Sequence, residues 1–188
     1  MKKTLLLTIA LLLSVTLFSQ SVGTIVKETF DSDEMPEGWK ITGNNSQNWS
    51  VSKSNFCGGD PNEIKMDYSP VFYNGFTRLT SPMLDLTDVD SILVTFKHYV
   101  DIYNTYPSTI GIATSSSNGM KWDKAYEETF FADGQHNISK VIANEDMGKN
   151  KVLIAIYYEG NSGNLNAIYF DDVEITTIEN INAKIASL

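Results

Sequence analysis

Short runs of apolar and β-branched residues alternate with polar residues along most of the chain, and turn-forming residues separate these runs. Alternation with a period of two predicts half-buried β-strands, because successive side chains of a strand point to opposite faces. Segment 91–100 shows the pattern best, since Ile92, Val94 and Phe96 stand at every second position. The predicted strands cover residues 24–30, 49–51, 77–81, 91–100, 109–114, 122–131, 135–143, 151–158 and 167–176.

The spacing of these strands indicates how they pack together. No long segment after residue 20 shows the 3.6-residue period of an amphipathic helix. Many short strands with turn signals such as Asn118-Gly119 are typical of an antiparallel sandwich or jelly roll. No internal repeat and no linker divides the chain. We therefore predict one all-β domain, an antiparallel jelly-roll β-sandwich over residues 21–178, followed by a short tail over residues 179–188.

The first 20 residues follow a different pattern. Lys2 and Lys3 precede an almost wholly apolar run from Leu5 to Leu17, and a more polar residue, Gln20, ends the segment. This order is typical of a cleavable secretory signal helix, and the run is shorter than the roughly 20 residues that a membrane span needs. We therefore predict cleavage near Gln20, export from a Gram-negative bacterium, and no membrane insertion afterwards. The expected location is extracellular, on the cell surface or in the periplasm.

Charge narrows the classes of partner. The chain has 14 Lys and Arg residues against 23 Asp and Glu residues. Removing residues 1–20, with two lysines and no acid, leaves 12 against 23, a net charge of −11. An acidic surface disfavours nucleic acid and anionic membranes as partners. It is compatible with a divalent cation and with neutral ligands such as glycans.

No catalytic motif stands out in the sequence. Cys57 is the only cysteine, so an intramolecular disulfide is excluded, and neither His98 nor His136 lies in a recognisable nucleophile motif. Zinc-protease, serine-hydrolase and phosphate-loop patterns are absent. We therefore predict a protein that is not an enzyme. Two alternatives stay open: a glycosidase-like jelly roll, for which Glu127-Glu128 supplies acids without a telling spacing, and a structural subunit of a surface assembly.

Several motifs in a fixed order resemble a known family. They are Glu28-Thr29-Phe30-Asp31, Met35-Pro36-Glu37-Gly38-Trp39, Leu79-Thr80-Ser81-Pro82, Asn118-Gly119-Met120-Lys121-Trp122 and Phe170-Asp171-Asp172-Val173. This order resembles the cleaved-adhesin and choice-of-anchor J modules of bacterial surface proteins, which are similar to MAM domains, over about residues 26–177. The resemblance implies a jelly roll whose first and last strands are neighbours. It also implies non-catalytic adhesion, or binding of glycans or of host or surface proteins, and frequent calcium binding. Because the sequence ends about a dozen residues after the last predicted strand, we expect no C-terminal anchor of the kind that relatives carry.

A calcium site is the best metal candidate that the resemblance suggests. If the terminal strands are neighbours, the carboxylates of Glu28 and Asp31 approach those of Asp171 and Asp172. Calcium takes 6–8 oxygen ligands, and a cation relieves the repulsion among packed carboxylates. The motif positions assign the metal role to Glu28 and Asp171 first. In a regular strand Asp171 and Asp172 point to opposite faces, which makes it difficult for both to be ligands. The alternative is that these acids are turn caps or solvated edge residues.

Tyrosines at strand ends and in loops are the second set of candidates. Aromatic rings pack against sugar rings or protein partners while their polar tips tolerate water. The predicted ligand-binding residues are Tyr73, Tyr99, Tyr103 and Tyr106. The large aromatic residues that we expect in the core are Trp39, Trp49, Phe96, Trp122 and Phe170.

Overall fold

A computed structural model describes residues 20–103 and 106–180 of the protein. Its strands are β1 (Gln20–Glu28), β2 (Lys40–Gly43), β3 (Trp49–Ser52), β4 (Glu63–Asp67), β5 (Gly75–Thr80), β6 (Ser91–Ile102), β7 (Ser108–Ser115), β8 (Asp123–Phe130), β9 (Gly134–Ile142), β10 (Leu153–Gly160) and β11 (Leu165–Asn180). One-turn 3₁₀ helices at Ser46–Asn48 and Ser162–Asn164 precede β3 and β11. Within the described ranges, no helix is long and apolar enough to cross a membrane.

The strands form two antiparallel sheets. The six-stranded sheet has the order β3-β4-β11-β6-β9, and β1 pairs with β11 beyond the end of β4. The five-stranded sheet has the order β2-β5-β10-β7-β8. Because β11 is 16 residues long, its first half pairs with β4 and its second half pairs with β1.

The core lies between the sheets and follows the alternation of the strands. Along β6 every second side chain is buried, from Ile92 to Ile102. Fully burying one aliphatic or aromatic side chain stabilises a fold by about 1.5–3 kcal/mol. Trp49 of β3 stacks on Phe170 with ring centroids 5.6 Å apart, and its indole N–H donates to the Thr77 hydroxyl of β5 at 2.8 Å. This hydrogen bond joins the two sheets through the core.

The predicted all-β sandwich is confirmed, and the first and last strands are neighbours as the resemblance implied. Each of the nine predicted strands overlaps an observed one, whereas β2 and β4 were missed. These two strands have four and five residues, and charged residues interrupt the apolar pattern of β4. β11 extends through Asn180 into the predicted tail. The rest of that tail and residues 1–19 of the predicted signal helix lie outside the described residues, and Gln20 begins β1.

The loop between β3 and β4 covers part of the outer face of the six-stranded sheet. Phe56 packs on Tyr99 and Tyr169, with ring centroids 5.2 and 4.7 Å apart. Cys57, which belongs to this loop, is fully buried. Both oxygens of the buried Glu63 carboxylate accept backbone N–H bonds, from Phe56 and Cys57 at 2.9 Å each. A small second core therefore lies on this outer face.

Candidate functional site

The two ends of the sandwich domain meet where the sequence predicted a metal site. A β-bulge interrupts the pairing of β11 with β6 between Asp171 and Glu174, and Asp172 has a positive φ of 48°. A methyl group on the Cα of Gly59 would lie 3.5 Å from Asp171 Oδ2 and 3.6 Å from Asp172 Oδ2. One oxygen of each carboxylate therefore lies near Gly59. Because the strand is bulged there, the opposite directions expected of neighbouring side chains in a regular strand do not apply.

Asp171 is the most unusual acid of this region. Its residue is only 2% exposed. Burial raises the pKa of Asp171 to about 7, and the negative charges of Asp172, Glu63 and Asp31 add to the rise. A hydrogen bond from the Asp172 N–H to Asp171 Oδ1, at 2.7 Å, acts in the opposite direction. Near neutral pH this carboxyl group therefore holds a proton for part of the time.

The other predicted metal ligands already have partners. Glu28 Oε1 accepts from the Phe30 N–H at 3.0 Å, and Asp31 Oδ2 accepts from the Thr29 hydroxyl at 2.6 Å. Asp172 Oδ2 lies 2.6 Å from Lys97 Nζ. Among residues 20–103 and 106–180, no group of three His, Cys, Asp or Glu side chains is arranged to hold a metal ion. The structure brings Asp171 and Asp172 together beside Lys97, and the calcium role of the four acids stays a prediction.

The predicted tyrosines occupy separate environments. Tyr99 is half-buried under Phe56 on the six-stranded sheet. Tyr103 is exposed and lines a shallow pocket of about 350 Å³ whose lining includes none of the other three predicted tyrosines. Tyr73 and Tyr106 are also exposed. The ligand-binding role of these four residues stays a prediction.

A different set of aromatic residues lies on the outer face of the five-stranded sheet. Alternation along β5 directs Phe76 and Arg78 outward, on the face opposite the buried Thr77 and Leu79. Phe76 stacks on Tyr157 of the neighbouring strand β10, with centroids 4.5 Å apart and planes 25° apart.

Gly111 of β7 explains how Tyr157 can lie close to the sheet. A methyl group on Gly111 would lie 2.4 Å from Tyr157 Cζ and 2.3 Å from the Tyr126 carbonyl oxygen. Only a glycine leaves room for the ring at this position, so the aromatic stack depends on Gly111.

Arg78 lies close to two aromatic rings. Its guanidinium carbon is 4.1 Å from the centroid of Phe76 and 5.1 Å from that of Trp122. We expected Trp122 in the core, and this was wrong: it is partly exposed beside Arg78, just before the edge strand β8. Two features of the sequence point to this pair. Trp122 follows the exposed turn at Asn118-Gly119, and Arg78 is the only arginine of the chain.

A cleft of about 450 Å³ opens beside this arginine, and we name it the Arg78 cleft. Its lining includes Lys40, Thr42, Arg78, Thr80, Met83 and Trp122. Lys40 and Arg78 carry the charges, and none of the described residues that line the cleft is acidic. The cleft therefore combines one aromatic ring, hydroxyl groups and two cations.

Two acids elsewhere on the same face share one lysine. Lys124 Nζ lies 3.2 Å from Glu127 and 2.5 Å from Glu159, and the Tyr157 hydroxyl donates to Glu127 at 3.1 Å. These contacts lower the pKa of Glu127. Within the described part of the chain, Arg78 forms no such ion pair.

A second groove, of about 440 Å³, lies on the six-stranded sheet. Its charged residues are balanced, with Lys27 and Lys97 against Asp172 and Glu174. Phe96 is the aromatic residue of its lining and is only 2% exposed. This groove therefore offers polar groups to a ligand but hardly any aromatic surface.

Comparisons with known proteins show which solved structures have a similar fold. No family model and no curated protein matches the sequence. Among solved structures, the K1 cleaved adhesin domain of Lys-gingipain from Porphyromonas gingivalis W83 is similar, with a TM-score of 0.60 and 15% identity over 82% of this chain and 97% of that one. The CBM22-1 xylan-binding domain of Paenibacillus barcinonensis Xyn10C has a TM-score of 0.55 and 9% identity, over 86% of this chain and 98% of that one. TmCBM61, solved with β-1,4-galactotriose, has a TM-score of 0.52 and 14% identity, over 79% and 93%.

At these identities the likeness concerns the fold. The resemblance to cleaved-adhesin modules is supported at that level, and the choice-of-anchor J and MAM affinities stay predictions. The protein has the jelly-roll β-sandwich fold that these adhesin and xylan-binding domains share.

Proposed function

We propose that the protein is a non-catalytic, exported binding module that binds a glycan on the outer face of its five-stranded sheet. The Arg78 cleft is the observation that carries this proposal, because it places a partly exposed indole ring beside hydroxyl groups. Aromatic rings offer sugars a flat apolar surface, and hydroxyl groups supply hydrogen bonds that fix orientation. The similar structures of a xylan-binding domain and of a module in complex with β-1,4-galactotriose support the choice of ligand class.

The charge state of the acids favours binding over hydrolysis. A glycosidase needs a carboxylic acid with a raised pKa opposite a second carboxylate. On the five-stranded sheet the pKa of Glu127 is instead lowered by its contacts with Lys124 and Tyr157. Asp171 has a raised pKa, but it is buried on the other sheet near Gly59.

A glycan array followed by calorimetry tests the proposal. We expect the purified protein to bind at least one polysaccharide, and Trp122→Ala to weaken that binding about tenfold or more, as for an aromatic residue at the centre of an interface. Phe131→Ala is the matched control, because Phe131 is an exposed aromatic residue that does not line the Arg78 cleft. Tyr103→Ala tests the other pocket, which Tyr103 lines. A blank array, together with capture of a purified surface protein, would refute glycan binding. Loss of binding only in Tyr103→Ala would place the site in the other pocket.

We also propose that calcium stabilises the region where β1 and β11 meet. The position of both carboxylates near Gly59 supports this, because Asp172 repels the Asp171 charge and a bound cation relieves that repulsion. The ion has to compete with Lys97 for Asp172 and with a proton for Asp171. A ligand that binds only the native state raises the melting temperature. We expect added calcium to raise it and Asp171→Asn to abolish that rise; no shift in the wild-type protein contradicts the proposal.

A further inference from the structure

Arg78 is a cation whose attractive partners, among the described residues, are aromatic rings alone. Its Nε is buried without a hydrogen-bond acceptor, and no carboxylate of the described chain lies within salt-bridge distance of it. Burial lowers the pKa of Arg78. On the outer face of the five-stranded sheet, Glu127 and Glu159 pair with Lys124 and not with Arg78.

The charge of the Arg78 cleft is opposite to that of the chain. The protein carries a net charge of −9, yet the described lining of the cleft contains Lys40 and Arg78 and no acid. The chain has 23 Asp and Glu residues, yet no salt bridge of the described residues involves Arg78. A cleft whose described lining carries a net positive charge favours an anionic group as the occupant.

Building on the proposed glycan binding, we propose that the ligand is an acidic polysaccharide, one of whose carboxylate or sulfate groups binds Arg78. The planar guanidinium presents paired N–H donors that match the oxygens of such a group. The rings of Phe76 and Trp122, with centroids 4.1 and 5.1 Å from the guanidinium carbon, restrict the side chain, which reduces the entropy lost when the pair forms. Trp122 then packs against the sugar ring that carries the anion. The half-buried Thr42, whose hydroxyl shares a 3.1 Å hydrogen bond with that of the buried Thr80, is the nearby side chain that can bind a sugar hydroxyl group.

A polysaccharide fits this cleft better than a nucleic acid does. Nucleic acids present a phosphate at every nucleotide and are bound by proteins that supply many cations. The Arg78 cleft supplies two cations on a strongly acidic protein. Such a site suits a polysaccharide of which one anionic sugar residue binds in the cleft.

Matched polysaccharides test the inference with the wild-type protein. Calorimetry compares polygalacturonate with its methyl-esterified form, and dextran sulfate with dextran, so that each pair differs only in the anionic group. We expect about tenfold or tighter binding to the anionic member of at least one pair. The pair that responds identifies carboxylate or sulfate as the group recognised. Equal binding of both members in both pairs overturns the inference while leaving glycan binding intact, whereas no binding to any polysaccharide refutes both. Binding to single-stranded DNA that exceeds binding to both polyanions also overturns it.

Variants of the same protein assign the effect to Arg78. Arg78→Gln removes the charge and is expected to abolish the preference for the anionic member. Arg78→Lys keeps the charge but loses the planar donors, so part of the preference should persist. Lys65→Gln is the control, because Lys65 lies on the other sheet and pairs with Asp67 at 2.7 Å. An anionic preference that survives unchanged in folded Arg78→Gln, or that disappears equally in Lys65→Gln, overturns the assignment.

Discussion

His98 makes the stability of the fold depend on pH in a way that can be isolated. Its side chain is fully buried among aromatic rings, with Phe130 at 4.8 Å and His136 at 5.1 Å between centroids. Neither ring nitrogen of His98 has a hydrogen-bond partner among the described residues. Burial, and secondarily the charge of His136, lowers its pKa from 6.5 to about 3.

The sign and size of the effect follow from this pKa. Between pH 3 and pH 6.5 the unfolded chain protonates this imidazole and the folded chain does not, so stability is lost as the pH falls. Each pKa unit is worth about 1.36 kcal/mol, so the loss across the window approaches about 5 kcal/mol. Asp171 acts in the opposite direction, because its raised pKa favours the folded state at low pH.

A comparison with His98→Leu separates the two effects, because Asp171 is present in both proteins. Urea unfolding at pH 4, 5, 6 and 7 gives the difference in unfolding free energy between wild type and variant. We expect that difference to change by about 1.4 kcal/mol per pH unit between pH 4 and 6, in favour of the variant as the pH falls, and by less between pH 6 and 7, where the unfolded imidazole is only partly protonated. A difference that is constant across this range would falsify the argument, as would an NMR titration showing protonation of His98 near pH 6.

Three further predictions concern the core and the aromatic stack. Cys57 should resist thiol reagents in the native protein and react after unfolding, because burial and the neighbouring Glu63 raise its pKa; rapid native labelling contradicts this. Gly111→Val should lower the free energy of unfolding by about 1–3 kcal/mol or more and weaken glycan binding, because the new side chain would collide with Tyr157. Gly134→Ala, in which the added methyl group would lie 3.3 Å from His136 Nε2, should have neither effect in urea unfolding and calorimetry. Trp49→Phe should lower the free energy of unfolding, measured by chemical denaturation, by about 1–3 kcal/mol, because it removes a buried hydrogen bond to Thr77. If the same substitution costs as much in a Thr77→Val background, the hydrogen bond contributes nothing.

The fold could be predicted from the sequence because its main signals are local. Alternation over segment 91–100 encodes strand β6, and the ordered motifs at the chain ends led to the pairing of β1 with β11. The two missed strands are too short to show a period, and their pairing partners lie far away in the sequence: β2 pairs with β5, and β4 with β3 and β11.

The candidate site could be predicted only in part, because its geometry depends on contacts across strands. Nothing local to Arg78 indicates that Trp122, 44 positions later, reaches it across the sheet. The same limit applies to Asp172, since a regular strand was the natural expectation and the bulge depends on pairing with β6. The sequence carried two signals of this site. Arg78 is the only arginine of the chain, and Trp122 follows the turn at Asn118-Gly119.

The indole N–H signals of the three tryptophans give the most direct test of where the ligand binds. Trp39 and Trp49 are buried in the core, whereas Trp122 lies in the Arg78 cleft, so the first two serve as internal references. On titration with a bound polysaccharide fragment, the Trp122 signal should shift while those of Trp39 and Trp49 stay in place. A titration that saturates with the Trp122 signal unmoved would contradict binding on the outer face of the five-stranded sheet.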